Sequence, residues 1–554
     1  MTRRLLAVVV VVSPLFFWRL GRPGFSDTEG MFAEPAREMV VTGDWVTPRM
    51  NGEPFLTKPP LMYWLSAALF TVTGPTEHAR LWPALAGLGT VAATGALGAL
   101  LFGEAAGIAA ALILATSVGF FVESRLLRAD MVLVLAITLA LFCYLRLRRG
   151  GGLLTAVGFW ASIGLGVLDK GFLALALPAG IIVATEVGEG ILRPRTLVAR
   201  LQALHAPLGI AVLIVLAGPW HALAAARNPG FLWDYTVNQH VLFFFDEKLP
   251  RDSIPDSLGF FLGMFPTRGL PWSLLLPAAG LWAYRTMRDD PVRAPAVGLI
   301  AAWIAVVLGF FALAPSRLEH YSLPALPATA LLLGALVMDA RSRIALGWSV
   351  HPLAAGAALT FGVMVLAPGR LIAWIEPTLT GLGLDALVRP TGLLLAGTLS
   401  GMALLLATHR TRLAMGIGVA GTAALLLVVQ VAHERTEPLF SWRPFAEMIH
   451  ARAPDGARVF FRASDEYQLC GGLEYYLRQP LDLLAPSGWV PPTFLAGRTE
   501  RLFTSPAELA RLWREGGGFW VSDDVTPPGA EGKLAPAPHT LVARAGSRVL
   551  LQAQ

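Results

Sequence analysis

The 554-residue chain carries 44 Lys plus Arg against 38 Asp plus Glu, a formal charge of +6, and is 55% hydrophobic and 15% charged with a mean hydropathy of +0.58. No soluble domain needs that much apolar surface, so the composition excludes an ordinary cytosolic protein and points to a polytopic α-helical membrane protein. The excess positive charge requires no nucleic-acid partner, because arginines flanking membrane spans account for it.

Crossing a hydrocarbon core about 30 Å thick takes roughly 17–25 mostly apolar residues. Such stretches are predicted near 5–20, 80–101, 105–122, 131–145, 153–168, 170–186, 206–226, 257–283, 294–314, 321–338, 345–366, 391–407 and 413–432, thirteen in all. Short cytoplasmic loops are enriched in Lys and Arg. With the N-terminus inside, Arg3/Arg4, Arg146/Arg148/Arg149, Arg193/Arg195/Arg200, Arg285/Arg288/Arg293, Arg341/Arg343 and Arg410/Arg412 all fall on the cytoplasmic side. The same alternation sends the first loop, 21–79, the turn at Asp130, the loop 227–256 and everything after 433 to the outer face. The first span lacks a small-x-small cleavage site and reads as an uncleaved anchor.

In the first loop, Ser26-x-x-Glu29 is a capping box that starts a helix with Phe32, Ala36, Met39 and Val40 on one face, suited to lying on the bilayer surface; Pro35 is expected to kink or divide it. Two domains are expected: residues 1–432 in the membrane, and a soluble α/β domain at 433–554. In the latter, 458–462 and 518–522 read as strands, 469–477 and 506–514 as helices, 540–551 as a hairpin around Ala545-Gly546, and the Pro- and Gly-rich stretches 485–497 and 525–538 as loops. Cys143 and Cys470 lie in different domains, too far apart to bridge.

Ionisable groups near a bilayer mark function when they cluster. On the expected outer face they form four sets: Asp27, Glu29, Glu34, Arg37 and Glu38; Lys58 in TKPPL; Glu123, Arg125, Arg128 and Asp130; and Asp169-Lys170 with His240 and the Arg317, Glu319, His320, Tyr321 loop. Only Lys58, Lys170, Lys248 and Lys533 are lysines, and all fall on or beside that face. A carboxylate to accept a proton together with cations to hold a phosphate are the parts needed for transfer from a phosphate-linked lipid. The other class of function considered is a transporter or flippase of isoprenoid-linked glycans, for which neither an inverted repeat nor mid-membrane charge is seen.

The segments SDTEGMFAEPAREMVVTGDWVTPRMNGEPFLTKPPLMYWL, HARLWPAL, ESRLLRADM, LDKGFL, NPGFLWDYTVNQH and RLEHYSLPALPATALLLG resemble the lipid A aminoarabinose transferases and related undecaprenyl-phosphate-sugar glycosyltransferases, relatives of the protein O-mannosyltransferases. This resemblance implies a glycosyltransferase of the bacterial inner membrane with its active site and C-terminal domain in the periplasm. It implies an undecaprenyl-phosphate sugar as donor, and an envelope glycolipid, glycan or protein as acceptor. Carried over, Asp27, Asp130 and Lys170 are the catalytic positions, with Asp27 the base or part of a metal-linked centre. Lys58 holds the donor phosphate, with Arg80, Arg125 and Arg128 as further cations, and Glu29, Glu34, His240, His320 and Tyr321 are secondary candidates. A divalent metal is the one cofactor the resemblance raises, with Asp27 and His240 as candidate ligands. Two departures weigh against both metal and aminoarabinose: Thr57 stands where an acidic residue precedes the lysine, and Val241 to Phe243 where an arginine follows the histidine.

Overall fold

The computed structural model describes residues 2–189, 200, 202–250, 255–375, 379, 382–453, 456–462, 467–485, 489–523 and 538–554. Arg193, Arg195, Lys533 and nearly all of the expected loop 525–538 lie outside them. The chain forms two compact units, one of residues 1–20, 83–219 and 255–432 and one of 21–82, 220–254 and 433–554. The C-terminal residues thus share a unit with the first loop and with 220–254.

The first unit is helical. α1 (Arg3–Phe17), α4 (Leu81–Phe102, its first two residues in the other unit), α5 (Glu104–Ala115), α6 (Val118–Glu123), α7 (Asp130–Arg148), α8 (Leu153–Lys170) and α9 (Leu173–Gly188) precede the helices Ala294–Leu313, Leu326–Met338, Asp385–Ala407 and Thr411–Arg435. Among the described residues, nine helices are long and apolar enough to cross a membrane, and three more are apolar but shorter. Leu154 on α8, Val183 on α9 and Leu313 are 84%, 61% and 77% exposed, an apolar surface that suits lipid rather than water. This is a multi-pass membrane protein. Small residues let helices approach closely inside it: a Cβ on Gly334 would meet the α5 backbone at Ala106 and Ala110.

Two expected spans are divided. The stretch 257–283 breaks into Leu258–Arg268, a turn at Trp272–Leu275 and Leu276–Asp289, because Pro266, Gly269 and Pro271 interrupt the backbone ladder. Between α5 and α6, the hydroxyls of Thr116 and Ser117 bond back to the carbonyls of Leu112 (2.6 Å) and Ile113 (2.8 Å), and the chain turns there.

In the second unit, α2 (Asp27–Thr42) and α3 (Leu61–Thr73) flank a short hairpin, β1 (Arg49–Met50) and β2 (Glu53–Pro54). Its turn is Asn51-Gly52 with φ of 54° and 77°, the pairing of residue types that tight hairpins favour. The sheet that follows has the order β4-β3-β5-β7-β6, built from β3 (Val459–Arg462), β4 (Asp482–Leu484), β5 (Phe519–Ser522), β6 (His539–Ala545) and β7 (Arg548–Ala553). β3 runs parallel to β4 and β5, and β7 antiparallel to β5 and β6. The helix Pro506–Arg514 covers one face, where Phe460, Leu512, Trp513, Trp520 and Leu551 form a core. The strands, helices and hairpin expected from the sequence are all present; β4 and the helix Arg443–Arg452 are additional.

Two expectations for α2 change. Pro35 neither divides nor ends the helix, which runs unbroken from Asp27 to Thr42. Nor does its apolar face lie on a bilayer: Phe32, Ala36 and Met39 are buried, with Phe32 against Tyr63 of α3 at 5.6 Å. α2 also packs on the helix Gly471–Leu477 so closely that a Cβ on Gly30 would overlap the backbone of Gly472. Gly30→Ala is therefore expected to lower stability by about 1–3 kcal/mol. Unchanged thermal unfolding of that variant would refute the close approach.

Candidate functional site

The predicted residues fall in two groups, one in each unit. In the membrane unit, Asp130 opens α7 and Lys170 closes α8, and Lys170 donates to the Asp130 carboxylate. Arg128 pairs with Glu123 at 2.5 Å and stands 3.9 Å from Asp130. His320 Nε2 lies 3.8 Å from Asp130, and Lys170 sits 5.4 Å over the Tyr321 ring. Asp130, Lys170, Arg128, His320 and Tyr321, read from three separate motifs, thus come together. Arg268, which sequence reasoning missed, bridges Glu123 (2.9 Å) and Glu319. Arg128 and Arg268 both pair with the buried Glu123 carboxylate and offset its burial.

Arg125 departs from its expected role. Its guanidinium donates to the carbonyls of Leu15, Phe16 and Trp18 and to Gln430, closing the C-terminal end of α1, so it is occupied in structure rather than offered to a phosphate. Arg80, in the other unit, is likewise engaged: it is 2% exposed, forks onto Glu29 (2.7 and 2.8 Å) and donates to the carbonyls of Pro23 and Gly24. Glu29 in turn accepts from the Ser26 amide and hydroxyl at 3.0 Å each, which carries out the capping-box half that the sequence announced.

Asp27, the first residue of α2, is the carboxylate of that end which Arg80 leaves alone. Arg548, at the start of β7, donates to it, and the same guanidinium lies 4.1 Å above the ring of Trp442. Burial raises the Asp27 pKa and Arg548 opposes it; with Asp523 adding negative charge, the balance is pushed up to about 6. Lys58 precedes the Pro60 N-cap of α3 by two residues. His240, whose Nδ1 faces the Tyr235 carbonyl at 2.5 Å, is made less basic by burial and also by the charge of Lys58, so the two share a neighbourhood. Tyr475 packs on Phe25 and Phe70, as expected of a core residue, whereas Tyr476 accepts from the Phe25 amide (2.7 Å) and reaches Glu77 (3.0 Å).

Glu34, Glu38 and Glu474 converge behind Asp27 in the same unit, the one group of three His, Cys, Asp or Glu among the described residues whose ligand atoms lie within 4.8 Å of one another. Asp27 and His240, the two candidate ligands, are outside it. Arg37 pairs with Glu34 at 2.5 Å, while Glu474 and Glu38 accept from the Asn51 and Gly52 amides of the hairpin turn. Burial raises both Glu34, to about 7, and Glu474. A carboxyl whose folded pKa is raised binds more protons folded than unfolded, so stability falls as pH rises from its ordinary 4.5 to about 7. Thermal unfolding across pH 4.5–7.5 is expected to show that fall, and Glu474→Gln to flatten it; a parallel curve for the variant would refute the assignment.

An apolar helical unit, and a second unit built on a mixed five-stranded sheet, define a polytopic helical membrane protein that also carries an α/β unit. More particularly, the fold is that of ArnT from Cupriavidus metallidurans: the structure bound to undecaprenyl phosphate matches with a TM-score of 0.76 at 23% identity over 100% of this chain and 97% of that one, and the apo structure with 0.77. The family described as dolichyl-phosphate-mannose-protein mannosyltransferase matches residues 6–234. The undecaprenyl phosphate-alpha-4-amino-4-deoxy-L-arabinose arabinosyl transferase of Aeromonas hydrophila is 29% identical over 346 residues, 59% of this chain and 58% of its own length; that of Serratia proteamaculans is 27% identical over 335, 58% and 56%. The chain thus spans a little over half the length of these relatives.

Proposed function

We propose that this protein transfers a sugar from undecaprenyl phosphate to an envelope acceptor, a lipid A-like glycolipid, another glycan or a protein, at the periplasmic face of the bacterial inner membrane. The observation that carries the reading is Asp27, a partly buried carboxylate titrating at about 6 at the head of α2. Above that pH it is ionised and able to take the proton of an acceptor hydroxyl as the oxygen attacks the anomeric carbon. Inversion follows, because attack comes from the face opposite the departing phosphate. The likeness to undecaprenyl-phosphate-dependent relatives supports a lipid-linked donor.

Lys58 supplies positive charge to the phosphate as the glycosidic bond breaks, next to the N-terminus of α3, where the helix dipole favours an anion. In the membrane unit, Asp130 pairs with Lys170, and Arg128 and His320 stand 3.9 and 3.8 Å from its carboxylate.

The test is a proteoliposome supplied with labelled undecaprenyl-phosphate sugars and a lipid A-like glycolipid. Label passing to the acceptor only when the protein is present is the expected result. Label crossing the bilayer still attached to its carrier, with none transferred, would overturn the reading in favour of a transporter.

A further inference from the structure

We infer that Arg548 is the positioning residue for the Asp27 carboxylate, so that the C-terminal sheet sets when the proposed base can accept a proton. This rests on the reading of Asp27 as that base. The two residues are 521 positions apart, yet each is fixed by regular structure. Asp27 is held by the first turn of α2, and Arg548 by the β7 register that sets Arg548 opposite Ala545 and Val549 opposite Ser522. Trp442, itself fully buried, supports the guanidinium from beneath at 4.1 Å, which fixes its plane.

What separates this contact from a plain stabilising ion pair is how little of the guanidinium is satisfied. Arg548 is 3% exposed, and its buried Nη1 has no hydrogen-bond partner among the described residues. An unmet buried donor costs about 1–3 kcal/mol, so the arrangement is poor for stability alone. Nη2 donates to Oδ2 of Asp27, which leaves Oδ1 as the oxygen that Arg548 does not hold. Among the described residues, the charges that act most on Asp27 are Arg548 from β7 and Asp523 from the residue after β5, while Glu29 on its own helix is paired with Arg80. Arg548 is thus the cation that offsets burial and Asp523. Without it the carboxyl would stay protonated to higher pH, and its plane would be free to turn.

The experiment is the pH profile of kcat/KM for transfer by the full-length protein in proteoliposomes, for wild type, Arg548→Gln and Arg548→Lys. The acid limb of the wild type is expected near pH 6. In Arg548→Gln it should move up by ~1–3 pH units, with activity recovering at high pH, since an arginine beside an aspartate typically shifts it by that much. Arg548→Lys should return the limb toward its wild-type position. An equal loss at every pH with the limb unmoved, or a lysine variant no better than glutamine, would overturn the inference. Should Arg548→Gln not fold, Arg548→Met takes its place: its limb should lie ~1–3 pH units above that of wild type, and an unmoved limb would overturn the inference. If Asp27→Asn transfers like wild type, it is the role of Asp27 as base that fails, whatever Arg548 does.

Discussion

Asp27→Asn is expected to lower kcat for sugar transfer by about 10²- to 10⁴-fold, the usual contribution of a general base, with a much smaller change in donor binding. The substitution is nearly isosteric. Ser26 remains the N-cap residue of α2, and Glu29 with Arg80 continues to hold the first turn, so the helix start survives. What disappears is the group that ionises at about 6 and the partner of Arg548. Loss of a first-turn charge costs ~0.3–1 kcal/mol of helix stability, and the buried Arg548 loses its ion-pair partner besides, so stability and rate are read on the same protein. Initial rates at saturating donor, with a melting curve on the same preparation, make the check; transfer within a few-fold of wild type would remove Asp27 from the chemistry.

The second large effect is structural. Arg268→Met is expected to destabilise the membrane unit by ~3–5 kcal/mol, because it strips a buried glutamate of one of its two cations and Glu319 of its arginine. Glu123 is 4% exposed, so no water is at hand to replace the lost guanidinium. Adding Glu123→Leu removes the carboxylate stripped of this cation but also takes the partner of Arg128, so the double variant is expected to lose less than the sum of the two singles without being neutral. Thermal unfolding in detergent of the single and double variants tests this. A double variant as unstable as the sum of the two singles would show that the pair is not coupled.

How far the sequence reaches is set by the range of each interaction. Helices, strands and the Ser26-Glu29 cap depend on neighbours a few residues apart, and hydropathy and spacing reveal them. Asp130, Lys170 and His320 are recognisable from their motifs, and the three motifs meet in one unit. Arg80 and Arg125 look no different from phosphate-binding arginines until the carbonyls they satisfy are in place. Pro35 was misjudged because tertiary packing on α3 and on Gly471–Leu477 outweighs a local helix-breaking preference. The Asn51-Gly52 hairpin signal was present in the chain and went unread, as did its consequence, the amides turned toward Glu474 and Glu38. Arg548, Trp442 and Arg268 carry no motif at all. Only the fold brings them to their partners.

The sheet-containing unit gathers residues 21–82 with residues 433–554, so its two ends are made far apart in time. At roughly 5–20 residues per second, Asp27 leaves the ribosome about 26 to 104 seconds before Arg548, 521 residues later. Throughout that interval the first loop is present without the strand that anchors its leading carboxylate. The chain therefore acquires its arginine-held carboxylate only once residue 548 has been made and β7 has joined the sheet.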